Sequence, residues 1–201
     1  MGLRNQQGEK IVPSEPIQPK KECAIQFVDV EGTVWTAKEG AGEFAGKDFG
    51  AMKVQVSIVD KDISTENPDA KPKLVFDDVF NIETYPYEDK KTGSVRWMSP
   101  NKLYQLQEAF GFETVYKDSQ GNVLEPRVSK AGKKYAPKGE DVHRHLNQDF
   151  LDAYFDSNDK PVVLNWVNKT IKCNIDYKKQ SQDDEEQYGK KNTVSSYLAS
   201  S

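Results

Sequence analysis

"GAMKVQVSIVD", Gly50 to Asp60, alternates strictly. Met52, Val54, Val56 and Ile58 fall on one side of an extended chain, with Lys53, Gln55 and Ser57 on the other, which is the period of a strand with one buried face. The polar face is either wet or holds a ligand. Upstream, "CAIQFVDVEGTVW" (Cys23 to Trp35) places Ile25 and Phe27 on one parity and Val28, Val30 and Val34 on the other. A single parity flip predicts a long first strand with a bulge near Phe27 and Val28. The glycine-rich "KEGAGEFAGKDFG" between the two predicts a hairpin connection. Downstream, "DKDISTENPDAKP" reads as a loop, and "KLVFDDVFNIETY" as a third strand whose parity shifts around Asp77 and Asp78.

"SPNKLYQLQEAFGF" predicts a helix: Ser99 as N-cap, Pro100 in the first turn, Leu103, Leu106 and Phe110 at helical spacing, and Gly111 as terminator. "KPVVLNWVNKTIKCNIDYKK" returns to strand chemistry, and "NTVSSYLA" adds a last short strand. Three strands, one helix and two more strands give a mainly β chain. That is the order of a five-stranded OB-fold-like antiparallel barrel, with its helix between strands three and four and with long loop insertions. Residues 1–21, with Pro13, Pro16 and Pro19 among polar residues, read as a flexible N-terminal arm. Residues 22–201 form the domain, with an insertion at 115–147 and an acidic loop at 180–191.

The chain has 201 residues, enough for one substantial core. A hydrophobic share of 36%, a charged share of 30% and a mean hydropathy of −0.80 predict a folded centre with polar loops and tails. The net charge of −4 excludes a protein that is basic all over, so polyanion binding requires a local patch. Cys23 and Cys173 sit in no CxxC pair, which excludes a zinc knuckle or disulfide scaffold and reads as two small buried strand residues. The start MGLRNQQGEK lacks an apolar leader, Gln6 breaks a myristoylation motif, and no apolar run reaches membrane-spanning length. These features predict a soluble cytoplasmic protein with no membrane partner.

"KEG…GKDFGAMKVQVSIVD", "KLVFDDVFNIE", "SPNKLYQLQEAFGF" and "DKPVVLNWVNK" together resemble a family of small bacteriophage proteins with an OB-like fold, akin to phage single-stranded DNA-binding proteins. The resemblance runs from about Cys23 to Ser196. It rests on the pairs Phe76-Asp77 and Phe110-Gly111 and on the Lys160-Pro161-Val162 strand start. It implies a role in DNA replication or recombination within the host cytoplasm. Binders of this kind carry acidic C-terminal tails that recruit replication proteins. Here Tyr188 to Ser201 follow the acidic run Asp183 to Glu186, which therefore reads as an internal loop.

Single-strand binding requires aromatic faces for bases, with lysines and arginines for phosphates. On the outer face of strands two and three the candidates are Lys53, Gln55, Lys73 and Phe76. "IETYPYEDKKTGSVRWM" adds Tyr85, Tyr87, Arg96 and Trp97 beside Lys90 and Lys91, on a hairpin that turns at "KKTG". "SKAGKKYAPKG" adds Lys130, Lys133, Lys134 and Tyr135, with Lys138, in a stretch without acids. Packing of Trp97 in the core is the alternative for that residue. His143 and His145 with Asp141 lack further ligands for a metal shell, so no metal and no cofactor is expected. No nucleophile elbow, P-loop or carboxylate pair assigns catalysis. The expected function is single-stranded DNA binding by stacking and phosphate neutralisation, not enzymatic. The alternative is a protein-interaction module docking replication or recombination proteins.

Overall fold

The computed structural model describes residues 16–60, 74–132, 134–139 and 141–200, with the side chains of 76–80, 187 and 188 outside that set. The fold is mainly β and its sheets are antiparallel. The alternating stretch forms β2 (Asp48–Ile58), paired along its length with β1 (Lys20–Thr36) and on its other side with β3 (Leu74–Asn81). The five-stranded sheet is completed by β11 (Thr170–Tyr177) beside β1 and β12 (Asn192–Tyr197) beside β11. The order is β12-β11-β1-β2-β3. The edge strands β3 and β12 approach within 8 Å, Cα to Cα, but are not hydrogen-bonded neighbours, so the sheet does not close.

The parity flips mark real slips. Between Phe27 and Asp29 the β1–β2 register shifts by one residue, and between Met52 and Val54 two residues of β3 oppose one of β2. Each bulge bends its strand and adds twist. Met52, Val54, Val56 and Ile58 are all buried, as the alternation predicts. Ser57, on the other parity, is also only 5% exposed, so that face is not uniformly wet.

The element order departs from the expected one at four places. First, the hairpin expected to turn at "KKTG" forms as β4 (Tyr85–Glu88) and β5 (Val95–Met98), a separate strand pair that the count of three strands before α1 (Asn101–Ala109) omits. The N-cap of α1 is Pro100 rather than Ser99; it makes no side-chain cap bond, and its carbonyl accepts from the Tyr104 N–H at 3.1 Å. Its end follows the sequence reading. Gly111 takes φ +86, its N–H donates to the Glu108 carbonyl at 3.1 Å, and the Phe112 N–H donates to the Gln107 carbonyl at 2.9 Å.

Second, the insertion is structured. β6 (Val115–Lys117), β7 (Val123–Leu124), β8 (Arg127–Val128), β9 (Lys134–Tyr135) and β10 (His143–His145) form one three-stranded and one two-stranded sheet. Third, the single expected helix between strands three and four is joined by α2 (Gln148–Tyr154) and by a one-turn helix α3 (Val163–Trp166), where a strand was expected. The Val162 N–H and the Trp166 Nε1–H both donate to the Tyr154 carbonyl at 2.9 Å, and Asn165 Nδ2 donates to the Ala153 carbonyl at 2.9 Å. Covering the open carbonyl end of α2 curls this segment despite its β-branched composition. Asn168 at φ +67 then releases the chain into β11.

Fourth, the acidic run is not a loop but α4 (Gln182–Tyr188). Ser181 Oγ accepts from the Asp184 N–H at 3.2 Å, and Asp183, Asp184 and Glu185 occupy the first turn, where acidic side chains suit the helix dipole.

The core lies between the sheet and the helices. Trp166, Phe27, Phe150, Leu103 and Leu106 are essentially inaccessible, and the rings of Phe27, Phe110, Phe150, Tyr154 and Trp166 pack within 4.7–6.4 Å of one another. Phe110 at the end of α1 anchors the helix to the bent part of β1. Among the described residues, no helix is long and apolar enough to cross a membrane.

Candidate functional site

The paired strands β1 and β2 run on past the core. At their far end Trp35 lies opposite Phe49 and Thr36 opposite Asp48. The glycine-rich connection folds into a 3-10 turn, Glu39–Phe44, kinked at Gly42 (φ +60), and closes through Ala37 N–H to the Lys47 carbonyl and Gly46 N–H to the Ala37 carbonyl, both 2.9 Å. The turn carries Phe44 back over the hairpin. Gly50 is required at the next step: a Cβ there would sit 2.9 Å from Ile82 Cγ1, where the chain leaving β3 crosses β2. The Ile82 N–H donates to the Gly50 carbonyl at 3.0 Å, and the Gly50 N–H donates to the Glu83 carboxylate.

That crossing delivers the β4–β5 hairpin to the same place. Asn81 holds its base, its Nδ2 donating to the carbonyls of Glu83 at 2.8 Å and Met98 at 3.2 Å. Asp89 organises its tip, accepting from the Lys91 N–H at 2.9 Å and pairing with Arg96 Nε at 2.8 Å. Five rings result in a row. Trp35 and Tyr85 are 5.9 Å apart, Tyr85 meets Phe49 edge-on at 5.8 Å, Phe49 and Phe44 are 6.5 Å apart, and Phe44 meets Trp97 edge-on at 4.9 Å. The tryptophans at the two ends are the open ones, Trp35 at 39% and Trp97 at 50% exposure. Lys47 Nζ lies 5.1 Å from the Phe44 ring centre, within cation–π range.

The sequence candidates divide around this row. Tyr85 and Trp97 belong to it, and Trp97 does not pack in the core. Tyr87 and Arg96 are cross-strand partners on the same hairpin, although the guanidinium is already paired with Asp89. Lys53 and Gln55 share the parity of Phe49 on β2, so the alternating strand carries one face from the rings to its polar residues. Lys53 lies opposite Glu31 and pairs with it at 3.4 Å, both largely exposed. Lys73, Lys133 and the side chain of Phe76 lie outside the described residues.

Lys130, Lys134 and Tyr135 are carried on other elements, in the insertion. Lys130 is exposed in the turn closed by the Gly132 N–H on the Ser129 carbonyl at 2.9 Å. Tyr135 is 45% exposed on β9. Lys134, read as free of acids, is ion-paired with Glu113 from before β6, a partner distant in sequence that no local composition reveals. This hairpin borders a cleft of about 810 Å³, lined also by Glu108, Phe112, Tyr116 and Ser200. Its carboxylates are engaged: Glu108 accepts from Thr114 Oγ1 at 2.6 Å and Arg144 Nη2 at 3.1 Å, and Glu113 holds Lys134. Asp141 bonds Ser119 through its N–H and hydroxyl, which with His143 holds its carboxyl below the usual range.

Trp35, Phe44, Lys47 and Phe49 were missed in the sequence. Once the β1–β2 hairpin is set by the alternation, its register alone puts Trp35 against Phe49, and that was the available signal. Comparisons with family models, with curated proteins and with solved structures return no match.

Proposed function

We propose that this protein binds single-stranded DNA without performing chemistry on it, as a component of phage DNA replication or recombination. Unstacked bases rest on Trp35 and Trp97, and phosphates are neutralised by Lys47 and the hairpin lysines Lys90 and Lys91. The row of rings with open tryptophans at both ends carries the reading. A folded protein has reason to bury such rings, and base stacking on an exposed one is worth about 1–3 kcal/mol per base. The strand order supports it. In our reading the order β12-β11-β1-β2-β3, with its two edge strands near each other, is that of an OB-like barrel left open at one seam, and such folds use the strand 2–3 face and the loop between strands 1 and 2 for oligonucleotides. Here that loop holds Phe44 and Lys47.

Docking of a replication or recombination protein is the second reading, favoured by one observation. Val34 (55%), Val95 (40%) and Met98 (46%) lie exposed on the same strands as the open tryptophans, and aliphatic groups serve a protein better than a base. Titration with single- and double-stranded oligodeoxynucleotides of equal length, followed by gel shift and tryptophan fluorescence, tests the first reading. Preference for single strands, quenching, and affinity that falls steeply with salt are expected. Equal affinity for both forms, or none for either, overturns it.

A further inference from the structure

Cys23 and Cys173 are 150 residues apart in the chain and meet in the sheet. They are Cα partners in the antiparallel pairing of β1 with β11, both wholly buried and both present as thiols, with Cys23 Sγ 3.8 Å from the Ala24 carbonyl oxygen. Directly opposed residues project to the same face, here the core face. The bonding phase follows from their neighbours. The Ala24 carbonyl is taken by the Val59 N–H at 3.0 Å and the Lys172 carbonyl by the Leu198 N–H at 3.0 Å, each pointing away from the β1–β11 ladder. Cys23 and Cys173 therefore turn their own backbone groups toward each other. The Cα separation of such a pair is about 5.5 Å, within the range of about 4.4–6.8 Å that a disulfide spans.

We propose that these two cysteines form a reversible cross-strand disulfide, with a low-molecular-weight disulfide as oxidant. One protein thiol, losing its proton, attacks the oxidant's S–S bond, giving a mixed disulfide and releasing one small thiol. The second protein thiol, losing its proton, attacks the protein sulfur and expels the other small thiol. The two cysteines lose two electrons and two protons in all, and the oxidant is reduced to two thiols. Cβ atoms in a pair of this phase lie about 5.5 Å apart and those of a disulfide about 3.8 Å, so closure draws them inward by about 1–2 Å. Register slips on one side of the pair supply the slack: the β1–β11 register shifts between Lys20 and Cys23, with Glu22 at φ +54, and the β11–β12 register shifts between Asn174 and Ile175, while Ala24–Lys172 and Ile25–Ile171 on the other side stay in register. The residual strain makes the bond easy to reduce.

Access requires opening. Burial, with Asp60 adding, pushes the Cys23 thiol up, so the closed sheet presents little thiolate. The segment leading to Cys23 is held by Ile17 N–H on Asn192 Oδ1 at 2.8 Å, by Asn192 Nδ2 on the Ile17 carbonyl at 3.0 Å and by the Lys20–Asp60 ion pair at 3.0 Å. These contacts close over the pair only when the chain folds. The full chain should therefore be unfolded, refolded in a glutathione disulfide buffer, and analysed by intact mass and peptide mapping. A monomer lacking two hydrogens, a linked peptide containing Cys23 and Cys173, a raised thermal midpoint and return to the dithiol mass on treatment with dithiothreitol are expected. Retained glutathione adducts, chain-to-chain dimers, two titratable thiols after refolding, or an unraised midpoint would each overturn the proposal.

Discussion

Two groups of aromatic rings divide this molecule, one inside and one outside. The inner group, Phe27, Phe110, Phe150, Tyr154 and Trp166, is buried except for the half-buried Phe110, and its indole N–H is satisfied within the protein by the Tyr154 carbonyl. The outer group, Trp35, Phe44, Phe49, Tyr85 and Trp97, has comparable ring-to-ring distances but leaves both tryptophans open. Residue type and mutual contact are thus the same, and exposure separates them. An aromatic residue in the inner group contributes chiefly to stability. One in the outer group retains surface for something else.

Substitution at the two extremes should separate these contributions. Trp166→Ala removes the largest fully buried side chain and should cost about 3–5 kcal/mol, read from the urea midpoint. A loss near that of a surface change would mean the inner group is not the core. Trp97→Ala should behave oppositely, changing stability by less than about 1 kcal/mol while weakening single-stranded oligonucleotide binding by about 1–3 kcal/mol. Unaltered affinity there and in Trp35→Ala removes the outer group as a binding surface.

Smaller effects test the charges around the rings. Lys47→Ala should flatten the slope of log affinity against log salt by about 0.7, the value for one phosphate on a single strand. Lys53→Ala, already opposed by Glu31, should change the slope less than Lys47→Ala does. The smallest effect lies far from both groups, in the turn after β6. Side-chain and backbone bonds from Asn122 hold the Asp118 carboxyl below its usual range. A depressed folded-state pKa stabilises above the unfolded value, about 3.9, and that contribution is lost as pH falls through the folded one. Denaturation midpoints of the parent and Asp118→Ala should therefore differ slightly at neutral pH and converge in acid. A gap that widens on acidification contradicts the sign.

How much of this was legible varies with the range of the interactions responsible. The buried face of β2, the slips at Phe27 and Asp78, the α1 stripe and its Gly111 terminator are consequences of neighbouring residues, and periodicity reports them. The helical turn at Val163–Trp166 depends on the end of α2, and "VVLNWV" satisfies a strand pattern equally well. Arg96 and Lys134 were legible as positive charges but not as paired ones. Arg96's partner Asp89 is nearby in sequence, but Glu113 reaches Lys134 only through the folded insertion. Trp35 lay within the quoted first strand, but its meaning depended on what the hairpin register set beside it.

The buried side chain of Gln107 touches both ends of the insertion. Its Nε2 donates to Thr114 Oγ1 at 2.9 Å, and its Oε1 accepts from the Asn147 N–H at 2.9 Å, while Asn147 Nδ2 reaches the Glu113 carbonyl at 3.2 Å. Residues 115–146 thus leave and re-enter the domain through one doorway, pinned shut by the side-chain amides of Gln107 and Asn147. A segment whose ends already meet asks little more of its host when it lengthens, since loop closure grows only with the logarithm of length. In modular terms the insertion is a side room, and its ties to the house run through α1, where the Tyr104 hydroxyl donates to the Arg144 carbonyl at 2.7 Å and Arg144 pairs with Glu108 at 3.1 Å.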